Sequence, residues 1–150
     1  QETKGSQMGK QVVLISHGKL SAGVADAVSM VFGENEELSF LGLAPDGNVV
    51  ELIGGLRDRV AANPEVQFIV VADIFGGSVC NQSLQQLSEF DNVVLLSGLS
   101  MGLVLSILAM PGELTQAQID QAIADARGGT KVVELIKADA PVDNGEDDFF

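Results

Sequence analysis

The chain has little that would let it be secreted, cross-linked or embedded. A single cysteine, Cys80, stands among 150 residues, so there is no internal disulfide and no cysteine-based metal cluster, and the composition fits a reducing compartment. Next to apolar Val79, that thiol reads as a packed core group. No apolar run is long enough to cross a bilayer, and the polar opening QETKGSQMGK is unlike a signal peptide. The expectation is a cytoplasmic protein. Basic residues are scarce too: eight Lys and Arg face 21 Asp and Glu, a formal net charge of −13. Nucleic acid binding draws most of its affinity from phosphate contacts made by clustered cations, so it is excluded, and a basic protein partner suits this surface better. Internal repeats and low-complexity linkers are absent, and histidine occurs once, at His17.

What the chain does have is enough apolar sequence for one core: 46% hydrophobic residues, 19% charged ones and a mean hydropathy of +0.28, the composition of one globular domain. Met8 reads as a native start behind an expression remnant, so residues 1–8 are set aside and residues 9–137 form the domain. Residues 138–150 carry Asp139, Asp143, Glu146, Asp147 and Asp148 ahead of Phe149 and Phe150, an acidic tail expected to be solvated and disordered.

Within the domain, short β-branched runs alternate with helical patterns. Gln11–Ser16 predicts a buried strand closed by His17 and Gly18. A helix follows from Ser21 as N-cap, with Val24, Ala27, Val28, Val31 and Phe32 on one face and Gly33 as the stop. Leu38–Leu43 predicts a second strand and Asn48–Ala62 a helix broken at Asn63-Pro64. Val66–Asp73 is the clearest buried strand; it runs into Ile74-Phe75-Gly76-Gly77 and a helix from Ser78. Asn92–Leu96 predicts a fourth strand, and Ser100–Met110 a helix ended by Pro111-Gly112. Another helix opens on a capping box at Thr115–Gln118 and closes at Gly128-Gly129; Val132–Ile136 predicts a last strand. This alternation implies a three-layer α/β/α sandwich around a mostly parallel sheet with right-handed crossovers.

In open sheets of this kind ligands bind beyond the carboxyl ends of the strands, where the strand order reverses. His17 lies at one such end and Asp73 at another. If those strands are neighbours, the carboxylate can hold the imidazole in one tautomer and leave its other nitrogen free as a nucleophile for a phosphoryl group. Gly76 and Gly77 let backbone N–H groups approach the anion, Ser78 adds a hydroxyl donor, and the following helix presents its positive end. Such a site requires no metal and no other cofactor. Taken singly, each residue has a plainer role: His17 in a turn, Asp73 as a cap, the glycines in any tight strand-to-helix connection. The pair carries more weight than either member.

Rival motifs fail on context. Gly5–Lys10 (GSQMGK) is one residue short of a phosphate loop, lacks its Ser or Thr and follows no strand. A dinucleotide fingerprint after the first strand is absent. Gly98–Gly102 (GLSMG) spells a nucleophile elbow, yet in that hydrolase order the histidine should follow the serine and the acid, and His17 precedes both.

With Val12–Gly18 (VVLISHG), Asp73–Ser78 (DIFGGS) and Asn81 quoted, the chain resembles the enzyme IIA domain of the mannose family of the bacterial phosphoenolpyruvate-dependent sugar phosphotransferase system, over about residues 9–137. The resemblance implies that His17 becomes a tele-phosphohistidine, taking phosphate from the phosphocarrier HPr. It would pass the phosphate to an enzyme IIB that phosphorylates sugar during import through membrane enzymes IIC and IID. Asp73 would orient His17 and Ser78 would contact the phosphoryl group. A homodimer is implied as well, its last strand, here Val132–Ile136, exchanged onto the partner's sheet. Two departures bear on the sugar branch: Val79 where the family usually has Pro, and Ser100-Met101-Gly102 where it usually has Asn-x-Pro. The phosphotransfer subunit of dihydroxyacetone kinases shares the fold and carries a histidine after strand one, but with Ser-His-Ser and a Leu-Gly-Ser turn. A non-catalytic regulatory module would use the surface of this fold and not the histidine.

Overall fold

The computed structural model describes residues 9–136; the expectations for residues 1–8 and for the tail 138–150 lie outside them. Among the described residues, nine elements follow in chain order: β1 (Lys10–His17), α1 (Leu20–Phe32), β2 (Leu38–Leu43), α2 (Val49–Ala62), β3 (Gln67–Ala72), α3 (Ser78–Leu87), β4 (Val93–Ser97), α4 (Met101–Ala109) and α5 (Gln116–Gly128). The strands pair in parallel in the order β2-β1-β3-β4.

The apolar runs of β1 and β3 have the composition of central strands, and both are paired on each side. Alternate residues supply the two faces. Val12, Leu14, Ile69 and Val71 pack with α1, α4 and α5 through Val28, Leu103, Val104, Ile107 and Ile119. Val13, Ile15, Phe68 and Val70 pack with α2 and α3 through Ile53, Leu56, Val60 and Leu87. Each side chain fully withdrawn from water here contributes on the order of 1.5–3 kcal/mol, and the two layers together hold the central strand ends in place.

Local chemistry sets the helix ends. Asn48 caps α2 by accepting from Val50 and Glu51, and Ser100 caps α4 by accepting from Leu103. The Thr115–Gln118 capping box is formed at the start of α5. Ser21 is not the N-cap of α1: it sits inside the first turn, fully buried, and Lys19 occupies the cap position without a side-chain bond. Buried Lys10 donates from Nζ to the carbonyls of Met110 (2.5 Å) and Gly112 (3.0 Å) and pairs with Glu37 Oε1 at 3.3 Å, tying the connection between α4 and α5 to the first residue of β1.

The expected last strand is not formed. Val132–Ile136 has no ladder partner among the described residues, and Val132, Val133, Leu135 and Ile136 are 94, 77, 86 and 61% exposed. β-branched and apolar residues favour a strand only where an edge is there to pair with, and this segment pairs with no strand among the described residues. No helix among the described residues is long and apolar enough to cross a membrane.

Candidate active site

Reading along the sheet, the chain steps from β1 outward to β2 and then returns to place β3 on the other side of β1. The order therefore reverses between β1 and β3, and the crevice at their carboxyl ends is the place this architecture offers a ligand. His17 is the last residue of β1, and Asp73 follows directly on the last residue of β3.

Their side chains meet. Asp73 Oδ2 accepts the backbone N–H of His17 at 2.8 Å and lies 2.7 Å from His17 Nδ1. The other oxygen, Oδ1, accepts from the backbone N–H of Ile74 at 2.9 Å. Burial by itself would push the Asp73 carboxyl up; the hydrogen bonds from the His17 ring and backbone and from Ile74, with the charge attraction to His17, outweigh it and hold the carboxyl below its ordinary value. An ionised carboxylate only accepts, so Nδ1 is the nitrogen that bears the proton, and in the neutral ring Nε2 is left with its lone pair. Ser78 Oγ stands 3.2 Å from Nε2, where its hydroxyl donates to that lone pair. The imidazole side chain is 52% exposed and the Asp73 side chain 8%: the carboxylate is sheltered and the ring is half open to solvent.

The turn between β3 and α3 requires its glycines. Gly76 has φ +83°, a left-handed conformation that favours glycine. At Gly77 a Cβ would come within 2.8 Å of Ile74 Cγ2 and 3.6 Å of His17 Cε1, so a side chain there would press on the turn beside the ring. Asn81 braces the same turn by donating to the Gly76 carbonyl at 3.0 Å. Helix α3 starts at Ser78, so its first-turn N–H groups and the positive end of its dipole lie beside the ring.

The structure thus brings His17, Asp73, Gly76, Gly77 and Ser78 into one cluster. Ser100 of the alternative elbow motif is used as a helix cap, and the hydrogen bonds of the His17 ring go to Asp73 and Ser78. Val79 and Cys80, the next residues of α3, are buried in the layer that packs on β1 and β3. Sequence reasoning missed the residues behind His17. Ser16 and Ser21 are fully buried; Ser16 Oγ accepts from the Ser21 N–H at 2.8 Å, and Ser21 Oγ donates to the Leu41 carbonyl at 2.8 Å. An isolated glycine in a strand is a signal of close backbone approach, and Gly42 in β2 gives that signal.

The family described as PTS system fructose IIA component (EIIA-man) matches residues 11–133. The sorbose-specific EIIA component of the PTS system of Klebsiella pneumoniae is 26% identical over 96 residues, 64% of this chain and 70% of that protein. Among solved structures, the mannose/sorbose-specific IIA subunit of the phosphotransferase system from Enterococcus faecalis superposes with a TM-score of 0.77 at 16% identity, covering 86% of this chain and 98% of that one. The PTS IIA protein associated with the fucose utilization operon of Streptococcus pneumoniae gives 0.70 at 22% identity, covering 80% and 90%. These structural likenesses bear on the fold.

Proposed function

From the premise that this chain belongs to the EIIA-man family of phosphotransferase system IIA components, we propose that His17 is its phosphoryl carrier, charged by phospho-HPr and discharged to an enzyme IIB. The observation that carries this reading is the pairing of Asp73 Oδ2 with Nδ1 at 2.7 Å, which reserves Nε2 for phosphorus.

In the charging step the Nε2 lone pair attacks phosphorus while the phosphorus–nitrogen bond of the donor's phosphohistidine breaks. The electron pair of that bond returns to the donor imidazole. The Nδ1 proton stays between His17 and Asp73, whose negative charge balances the positive charge growing on the phosphorylated ring. Ser78, released from Nε2 as phosphorus arrives, donates to a phosphoryl oxygen, with Gly76, Gly77 and the amino end of α3 supporting the same charge. Discharge to enzyme IIB reverses these movements. Positioning and charge stabilisation do the catalytic work, as in phosphoryl transfer generally, and no cofactor enters.

Half-exposed His17 suits a partner that is itself a folded protein. The apolar turn residues Ile74 and Phe75 beside it are also exposed, and an acidic chain suits a basic carrier. The uncovered Val132–Ile136 segment is accounted for by a homodimer in which it pairs with the partner's sheet. The protein works in the cytoplasm and reaches the membrane enzymes IIC and IID through enzyme IIB. The test supplies phosphoenolpyruvate, enzyme I and HPr and follows acid-labile phosphate. The unaltered chain takes up one phosphate and His17→Ala takes up none; equal uptake by the two overturns the reading.

A further inference from the structure

His17 is anchored from two sides, and only one of them is Asp73. On the other side β2 runs parallel to β1 with Ser16 opposite Gly42 and His17 opposite Leu43. Directly after His17 the chain turns at Gly18, whose φ of +56° is left-handed. Its N–H still donates to the Leu43 carbonyl at 2.7 Å, so the ladder continues one residue past the histidine while the Gly18 carbonyl swings back over β2. The place where it comes to rest is the position a side chain at residue 42 would fill. A Cβ on Gly42 would lie 2.4 Å from the Gly18 carbonyl oxygen, 3.5 Å from its carbon and 3.9 Å from Ser21 Oγ. The obstructing atoms are backbone, so a methyl group there cannot be accommodated by a rotamer change; the Gly18 peptide itself has to move.

We infer that Gly42 is a positioning residue for His17: its missing side chain lets the Gly18 peptide lie against β2 and so sets the backbone from which the imidazole reaches Asp73. The inference rests on the reading of His17 as the phosphoryl carrier. The two buried serines complete the support. Ser16 holds the second residue of α1 through the Ser21 N–H, and Ser21 holds β2 through the Leu41 carbonyl, so β1, the start of α1 and β2 form one block around the Gly18 turn. His17 N–H and Nδ1 both point at a single oxygen, Asp73 Oδ2. A displacement of the His17–Gly18 peptide therefore disturbs both bonds together, and a shift of about 1 Å at a reacting group can cost on the order of a hundredfold in rate.

The experiment uses Gly42→Ala in the full chain, with Gly55→Ala as the reference, since a Cβ at Gly55 meets nothing within 4 Å. Two readouts are taken: the rate of phosphate uptake from phospho-HPr, and the ring ¹⁵N shifts of His17, which report the tautomer without any transfer. Gly42→Ala is expected to slow uptake about ten- to a hundredfold and to mix the two ring tautomers, while Gly55→Ala keeps the unaltered rate and shifts. Gly42→Ala with unaltered rate and unaltered ring shifts overturns the inference. The ring shifts stand even if His17 were not the carrier, so the two readings fail separately. Should Gly42→Ala not fold, exchange of the Gly18 amide in the unaltered protein decides. Protection is expected from its bond to Leu43, and exchange as fast as an open loop amide overturns the pinning of that peptide against β2.

Discussion

A single oxygen of Asp73 binds His17 twice, once at the backbone N–H (2.8 Å) and once at the ring Nδ1 (2.7 Å). The double contact fixes both where the ring is rooted and which of its nitrogens carries the proton. It also joins the carboxyl ends of β1 and β3 at the point where the strand order reverses.

Replacing that oxygen acceptor with an amide tests its part in the chemistry. Asp73→Asn keeps the shape of the side chain but removes the charge proposed to balance a phosphorylated imidazole, and its NH₂ group can face Nδ1 and favour the other tautomer. Transfer from phospho-HPr is expected to slow by about ten- to a hundredfold, with circular dichroism unchanged. A transfer rate equal to that of the unaltered protein would remove Asp73 from the mechanism.

The same carboxyl gives a pH dependence with a definite sign. The folded protein holds Asp73 below its ordinary value, so below about pH 4, the usual carboxylate region, the unfolded chain takes up the proton first. The contribution of this group to stability is present above that pH and is lost as pH falls through the folded-state value. In urea unfolding between pH 7 and pH 3, the stability advantage of the unaltered protein over Asp73→Asn should shrink toward the acid end. A constant difference across the range would show that Asp73 is not held down by its partners.

At the opposite end of the sheet, Lys10 supports the fold and not the chemistry. Lys10→Met retains volume but strips the Met110 and Gly112 carbonyls of their donor and Glu37 of its partner. A loss of about 2 to 4 kcal/mol is expected in denaturant unfolding, with the transfer rate of the remaining folded protein unaffected. A stability change under 0.5 kcal/mol, the scale of an ordinary surface substitution, would mean that Lys10 does not hold the loop.

If Val132–Ile136 pairs with a second copy, charge placed on it should abolish association. Val133→Lys together with Leu135→Lys is expected to sediment as a monomer where the unaltered protein sediments as a dimer. A dimer that survives both substitutions would assign the contact to another surface.

Much of this fold was legible because strand and helix endings carry local chemistry. Leu38–Leu43 is a strand at the bounds its pattern implies, Asn48 and Ser100 cap helices where their types suggest, and the Thr115 capping box is formed. His17 and Asp73 stood out because each ends a buried apolar run. What local pattern did not contain was adjacency: that β1 and β3 are neighbours is a property of strand order, and the convergence of His17 on Asp73 was conditional until that order was known. Ser21 looked like a cap because its type favours that position, but tertiary contact with Leu41 draws it inside α1. Val132–Ile136 has strand composition without a strand, since pairing depends on a partner edge that the residues themselves do not supply. Gly42, a lone glycine in a strand, signals close approach of some backbone but not which one. Its effect is an absence, visible only once Gly18 is seen lying against it.

The most direct test of the account is the identity of the phosphorus–nitrogen bond. The protein is labelled with ¹⁵N at its single histidine, charged with phosphoenolpyruvate, enzyme I and HPr, and examined by ³¹P–¹⁵N NMR at neutral pH. The expected result is a phosphoryl group on Nε2 of His17, with Nδ1 protonated. Phosphorus bonded to Nδ1, or no phosphohistidine at all, would contradict it.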